Sequence, residues 1–444
     1  MLRRLRVRGY KSLVDCSIDL EPVTVLLGPN AAGKSNVLDL LGLMSRMASR
    51  ETLRESFEGH RGRPLEAFHS KDGFSEKSYR RILEEKRVTF SVECDIELHP
   101  RIVDEVNAVL QEREAAVKAK VPYTRVTEHL LRYRLEVALL PRSGDLLVVD
   151  ECLQALRQDL EPKSVTSRAP FIELQQDNPT GKPRFVARIE RQGHPRYFEP
   201  DRPRTLLSEL TDPVYHPHVV AAAREIASWR VYYVEPTRMR AEVPVQAADD
   251  PGRSGELLAA FYYSLQQRHP STLKSIVRNL RDLVPGLEGM RVDVREGLLE
   301  IVTTHEGGAE FPARILSEGT LRLLCLLGIS VAPSSPAVVV YEEPENGVNP
   351  ARLDLIAQII RTATERPGVP QFVLTTHSPS LCNLLSQHLL VITSDRVQGT
   401  SVRAFDQDRD TLYFEHDLVR AIDGYTMGAK RGASLVRERE DPPE

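Results

Sequence analysis

The stretch Gly28-Pro29-Asn30-Ala31-Ala32-Gly33-Lys34-Ser35 constrains this chain more than any other, because it fits G-x-x-x-x-G-K-[ST] and stands between strand-like and helix-like segments. Upstream, Val23-Thr24-Val25-Leu26-Leu27 is a β-branched, apolar run of the kind buried on both faces of a sheet. Downstream, Val37, Leu40, Leu41 and Met44 recur at helical spacing. Glycines let successive backbone N–H groups turn inward around an anion, and the following helix points its positive end at the same place. The pattern therefore predicts an α/β fold with a phosphate cradle formed by Gly28, Asn30, Ala31, Ala32, Gly33 and Asn36. Lys34 reaches the β and γ phosphates in that reading, and the Ser35 hydroxyl takes a position on Mg²⁺.

The 444 residues, 41% of them hydrophobic, suffice for a large core and several structural units. No apolar run approaches a membrane span, and Met1-Leu2-Arg3-Arg4-Leu5-Arg6 leads into alternation rather than into a signal-peptide core. Cys16, Cys94, Cys152, Cys325 and Cys382 are scattered and never spaced as C-x-x-C, which argues against disulfides or a zinc site and for a cytoplasmic protein. A net charge of -4 does not mark a nucleic-acid binder, so any such surface has to be local.

Leu5, Val7 and Gly9 alternate with Arg4, Arg6 and Arg8, a strand with a basic outer row that serves either as edge protection or as a phosphate-contacting strip. Three strands precede the first helix. The charged stretch from Ser49 to Arg87 shows no readable role. From Val88 to Leu98 the apolar positions keep a period of two, an antiparallel strand with one wet face. A helix around Ile102, Val106, Val109 and Leu110, a strand Tyr133 to Leu139 and another at Phe185, Ala187 and Ile189 extend this to an antiparallel region with a helical insertion and no long coiled coil. Helices are expected over His216 to Trp229 and Gly255 to Val284, then a hairpin from Val292 to Val302 turning at Glu296-Gly297.

Leu316-Ser317-Glu318-Gly319-Thr320 opens a nearly all-apolar helix, Leu321 to Ile329, and its start is either a second anion site or an ordinary Ser317 cap. Ala337 to Tyr341 is a buried-strand run ending in Glu342-Glu343-Pro344-Glu345, where open α/β sheets bind ligands. Glu342 then faces the metal and Glu343 the attacking water. Phe372-Val373-Leu374 is a third such run, ending in Thr375-Thr376-His377-Ser378-Pro379, with His377 placed to meet a γ-phosphate.

Phosphate loop, long insertion, L-S-x-G, acidic strand end and strand-end histidine, in this order, resemble the ATP-binding-cassette class in its RecF, SMC and OLD-like branch. Gly9-Tyr10-Lys11-Ser12-Leu13 also looks like the opening of SMC heads, and Glu342 to Pro350 like the acidic motif of OLD-like ATPases. The resemblance covers residues 1–48 and 311–395 well and the middle only by topology. It implies a head with a mixed, mainly parallel core sheet, an antiparallel β subdomain and a helical subdomain, divided at 1–48, 49–230, 231–310 and 311–444. It further implies ATP and Mg²⁺ as ligands, Glu343 as base, His377 as switch, Glu342 as metal-side acid, and a homodimer in which Ser317 and Gly319 act on the partner's nucleotide. Three departures stand out. Glu342 occupies the usual Asp position and Asn349-Pro350 the frequent H-P, no Q-loop glutamine is found, and no Toprim domain follows.

The resulting expectation is an ATP-dependent dimeric switch in DNA repair or anti-phage defence, able to form higher oligomers and working with a separate nuclease-like effector. Nucleic acid is a possible further partner through Arg4, Arg6, Arg8, Arg238 and Arg240, and Asp395, Asp406, Asp408 and Asp410 are too few for a nuclease centre. A transporter subunit is the first alternative, disfavoured by the long insertion and by S-E-G in place of S-G-G. A non-hydrolysing ATP-gated scaffold is the second, disfavoured by Glu343 and His377.

Overall fold

Strands β1 (Leu2–Tyr10) and β2 (Leu13–Asp19) form an antiparallel hairpin ahead of β3 (Val23–Leu27), in a computed structural model of the chain. The structure describes residues 1–405 apart from 72, 119–121, 165–167, 177–180, 191–193, 332–335, 365–369 and 396–398. The insertion supplies β4 (Val88–Glu97), β5 (Leu130–Leu140), β6 (Asp145–Ala155), β7 (Ile172–Gln175), β8 (Arg184–Ala187) and β9 (Arg196–Phe198). These join the first hairpin in one eight-stranded sheet, ordered β2-β1-β4-β5-β6-β7-β8-β9. The antiparallel sheet thus begins at the first residues of the chain, because β1 pairs with β4 from Leu2↔Ile96 to Arg8↔Ser91.

That pairing corrects the edge-protection reading of the arginine row. β1 is an interior strand, so its charges guard no edge. Arg4 pairs with Asp19 at 2.5 Å, Arg8 with Asp15 at 3.2 Å and Arg6 with Glu93, so the row meets carboxylates across the strands. Exposed pairs of this kind contribute about 1 kcal/mol or less each. The predicted wet face of β4 has one exception: Asp95 is buried and held by Arg132 at 2.6 and 2.8 Å.

A second sheet carries β10 (Arg230–Tyr232) in the parallel order β10-β15-β16-β3-β17, closed by one antiparallel strand at β18. Between β10 and this sheet's later strands, β11 (Val243–Pro244), β12 (Leu287–Arg295), β13 (Leu298–His305) and β14 (Ala309–Pro312) form a small antiparallel sheet. Its hairpin turns at Glu296 and Gly297, with φ of 51 and 81, the left-handed pair that a two-residue loop of matching twist requires. The remaining strands are β15 (Val338–Glu342), β16 (Gln371–Thr376), β17 (Leu389–Asp395) and β18 (Gly399–Ala404).

Alternate residues of the parallel strands feed two cores. Leu26, Val338, Val340 and Val373 pack with the helix Lys34–Met47 and the antiparallel sheet. Val25, Leu27, Val339, Tyr341, Phe372 and Leu374 pack with the helices Leu258–Arg268, Glu318–Val331 and Leu353–Thr364. Burial on both faces explains why these strands read as continuous apolar runs. The longest helix among the described residues, Pro100–Val117, has 18 residues, so no long coiled coil interrupts them. The stretch expected to be helical from Gly255 to Val284 is two helices, broken at His269, whose backbone the following Pro270 keeps out of the helical region.

Candidate nucleotide site

Strands β15, β16 and β3 are neighbours in the parallel sheet, and their C-terminal ends align through Glu342↔Thr375 and Thr376↔Leu27. Register therefore brings to one edge three segments that are far apart in sequence, at the position where open parallel sheets bind ligands. The Gly28–Ser35 loop leaves β3 and runs into the helix Lys34–Met47. Its turn uses left-handed backbone at Ala31 (φ 64) and Gly33 (φ 106).

Ser35 Oγ donates to Glu342 Oε1 at 2.7 Å. Lys34 is buried and, among the described residues, donates to the carbonyls of Gly28 (2.7 Å) and Pro29 (3.0 Å). Burial pushes its ammonium down to about 8, with Glu343 and Glu342 pulling the other way. Glu343 has left-handed backbone (φ 49) and a backbone N–H bonded to the Thr375 carbonyl at 3.0 Å. For a non-glycine residue that conformation costs on the order of 1 kcal/mol, a strain of the sort found where a side chain must be aimed. Its carboxylate lies 3.4 Å from His377 Nε2 and accepts from Asn346 Nδ2 at 2.5 Å. Burial first, then the Lys34 charge, lowers the His377 pKa, so the imidazole is neutral at pH 7.

Lys34, Ser35, Glu342, Glu343 and His377 thus converge as the sequence predicts. Asn36 donates from Nδ2 to Ser12 Oγ at 2.8 Å. Ser317 and Glu318 are exposed at the start of the helix Glu318–Val331, and Ser317 caps it through the Thr320 N–H at 3.2 Å. Gly319 has a reason within the chain itself: a Cβ there would sit 2.3 Å from the carbonyl of Gly347, in the loop after the acidic strand. Arg240 donates to the Leu316 carbonyl at 3.1 Å and Arg238 pairs with Glu235 at 3.0 Å, which gives both arginines partners within the chain. Asp395 ends β17, whereas Asp406, Asp408 and Asp410 lie outside the described residues.

Four residues that sequence reasoning left without a role stand beside the site. Glu345 accepts from Thr376 Oγ1 and, at 3.2 Å, from the His377 N–H, so it ties the acidic loop to the histidine loop. Arg61, from the unread charged stretch, places Nη2 3.6 Å from Glu342 Oε2. Ser12 and Thr400 share a 2.7 Å hydrogen bond, and Thr400 also donates to the Ala32 carbonyl at 3.0 Å. Two of them had a signal, Glu345 by its place in E-E-P-E and Ser12 by its place in G-Y-K-S-L.

The strands β17 and β18 brace the loop closely. A Cβ on Gly28 would stand 2.2 Å from the Ile392 carbonyl, and one on Gly33 would stand 2.3 Å from Thr400 Oγ1. Backbone at Ile392 cannot yield as a side chain can, so Gly28→Ala is expected to destabilise the protein by about 1–3 kcal/mol or more. A thermal melt as stable as wild type would show that this contact is not made.

Residues 155–383, more than half of the chain, match the family model "AAA domain, putative AbiEii toxin, Type IV TA system", and residues 1–123 match "AAA ATPase domain". The chain belongs to the AAA-domain ATPase family. Among solved structures, this ATPase resembles a Smc head bound to the C-winged helix domain of ScpA, with TM-score 0.53, 12% identity, 92% of this chain and 99% of that one covered. It also resembles a Smc head with an extended coiled coil from Pyrococcus furiosus, bound to the C-terminal domain of ScpA, with TM-score 0.51, 10% identity and coverage of 93% and 98%. At such identities the likeness is one of fold: the P-loop ATPase head expected from the sequence. No curated protein matches the chain.

The donor set of this AAA-family ATPase fits a nucleotide with Mg²⁺. Lys34 is a buried cation without a carboxylate bonded to it among the described residues, and Ser35 and Glu342 are already within 2.7 Å of each other. Among the described residues no group of three or more His, Cys, Asp or Glu could hold a metal alone. Mg²⁺ bound through one carboxylate, a hydroxyl and substrate phosphates makes no such demand.

Proposed function

We propose that this AAA-family ATPase binds ATP with Mg²⁺ and hydrolyses it, using the loop Gly28–Ser35, Glu342, Glu343 and His377. The observation that carries this reading is the convergence of Ser35 on Glu342 and of Glu343 on His377 beside the buried Lys34. Lys34 compensates phosphate charge, Ser35 and Glu342 hold the metal, and Glu343 receives the proton of the attacking water. The metal supplies charge neutralisation on the phosphates. Neutral His377 donates one N–H, oriented by Glu345 through its loop backbone. Phosphate release from ATP by the purified protein, absent in Lys34→Ala, tests the reading; equal release by that variant overturns it.

We further propose that two copies close on ATP, each presenting Ser317 to the other's nucleotide, as the exposed helix start of Ser317 and Glu318 supports. Light scattering with and without ATP tests this, a mass that does not change counting against it. The role we favour is an ATP-driven switch in DNA repair or anti-phage defence with a separate effector, in a reducing cytoplasm. The family description naming an AbiEii toxin system and the protein-bound Smc heads support a partner. The five cysteines are free and buried, and no helix among the described residues is long and apolar enough to cross a membrane.

The protonation of Lys34 makes the first step pH-dependent. With its pKa lowered to about 8 before nucleotide binds, Lys34 is mostly charged at pH 7 and mostly neutral at pH 9. Phosphate favours the ammonium form, so binding at pH 9 is expected to take up close to one proton and binding at pH 7 very little. Affinity then falls by up to about tenfold per pH unit above 8. Calorimetry in buffers of different ionisation enthalpy reads the uptake directly; the same value at both pH values would remove Lys34 as the phosphate-charged group.

A further inference from the structure

A cavity of about 640 Å³ lies along the flank of the helix Lys34–Met47, away from its phosphate-loop end, against β10. Four arginines line it: Arg46 from the last turn of that helix, Arg50 just past its end, Arg230 from β10 and Arg253 from the segment beyond. Asp250 and Glu58 are the carboxylates on its wall. Asp250 is engaged, accepting from the Tyr232 hydroxyl and, at 2.8 Å, from the Gly252 N–H. Among the described residues no ion pair joins Arg46, Arg50 or Arg230 to a carboxylate.

What these guanidiniums touch is mostly carbonyl oxygen. Arg46 donates to Ser56 at 2.6 Å, Arg230 to Ala227 at 2.7 Å and Trp229 at 3.2 Å, and Arg253 to Gly59 at 2.9 Å. The nearest buried carboxylate, Asp39, is already shared by Lys11 at 2.9 Å, Arg61 at 3.8 Å and Arg253 at 4.0 Å. Burial and the neighbouring Arg253 charge lower the Arg46 pKa, the mark of a cation short of counter-charge. Arg46 and Arg253 are half-buried and Arg50 and Arg230 stand exposed at the same concavity, so an anion seated there meets two partly desolvated guanidiniums short of counter-charge and two more free to close on it.

We propose that this cavity is a second anion site, taking a phosphorylated small molecule of nucleotide size whose phosphate is held by Arg46, Arg50, Arg230 and Arg253. Guanidinium forks match phosphate oxygens in pairs, and the volume lies in the range of small-ligand pockets, roughly 300–1,000 Å³. A nucleic-acid backbone fits less well: it needs a continuous basic track, and here the arginines surround a concavity that also holds Asp250 and Glu58.

Binding is read in full-length protein carrying Lys34→Ala, so that the phosphate loop contributes least. AMP, inorganic pyrophosphate and a 5′-phosphorylated DNA hexamer are titrated separately by calorimetry at low salt. AMP or pyrophosphate is expected to bind, and adding Arg50→Glu with Arg230→Glu to weaken that binding at least tenfold. Both arginines are exposed, and an unchanged melting temperature certifies the fold. Absence of binding by AMP and pyrophosphate, or binding unaltered by the two reversals, overturns the site. Binding of the hexamer alone overturns the small-molecule assignment in favour of a nucleic-acid contact.

Discussion

Glu343→Gln is expected to bind ATP as wild type does and to hydrolyse it slower by a factor on the order of 10² or more. Glutamine keeps the length of the side chain and an oxygen that still accepts from Asn346 Nδ2, now 2.5 Å from Glu343 Oε2. What it loses is the capacity to take a proton from the attacking water. ATP then stays uncleaved and the closed dimer accumulates, visible as a larger species on gel filtration in the presence of ATP. Turnover close to wild type would mean that another group accepts the proton, and Glu343 would lose its role. Glu345→Gln separates chemistry from positioning: its carboxylate touches Thr376 and the His377 backbone, so it is expected to lower kcat while leaving nucleotide affinity within a fewfold.

The second large effect is complementation between two inactive proteins. Lys34→Ala removes the phosphate cation, and Ser317→Arg places a bulky charge at an exposed helix start. Each alone is expected to lose hydrolysis to background. Mixed, they form heterodimers in which one intact phosphate loop faces one intact Ser317, so activity returns to a fraction of wild type. Ser317 takes no part in the chain's own Lys34 contacts, which are to Gly28 and Pro29, and the single variant is expected to keep nucleotide binding. Heterodimers shown by mass spectrometry to form without any recovery would count against a shared site.

The motif positions were legible because their chemistry is local. A glycine-rich loop between an apolar strand and a helix, or a carboxylate pair ending a β-branched run, needs no distant residue to be recognised. The hairpin at Glu296-Gly297 and the two-residue period of β4 were readable for the same reason. The Ser49 to Arg87 stretch was opaque because its short helices, Leu53–Phe57 and Glu76–Glu84, carry no sustained period. Arg61 enters the site only by folding back onto Asp39 and Glu342.

The chain alone determined which strands are buried on both faces, where they end, and which polar groups wait at those ends. Tertiary structure decided which ends meet. Pairing of β1 with β4 made one sheet of segments read as separate, and with β2 on its other side gave the arginine row carboxylate partners on both neighbouring strands. Parallel register set Glu342 opposite Thr375 and Thr376 opposite Leu27, placing Ser35 against an acid 307 positions away. The glycines show the same division: the pattern asks for Gly28 and Gly319 as phosphate neighbours, while packing gives each a carbonyl, of Ile392 and of Gly347, that leaves no room for a Cβ. Backbone approach between segments distant in sequence depends on how two sheets and their helices stack, and no local pattern encodes that distance.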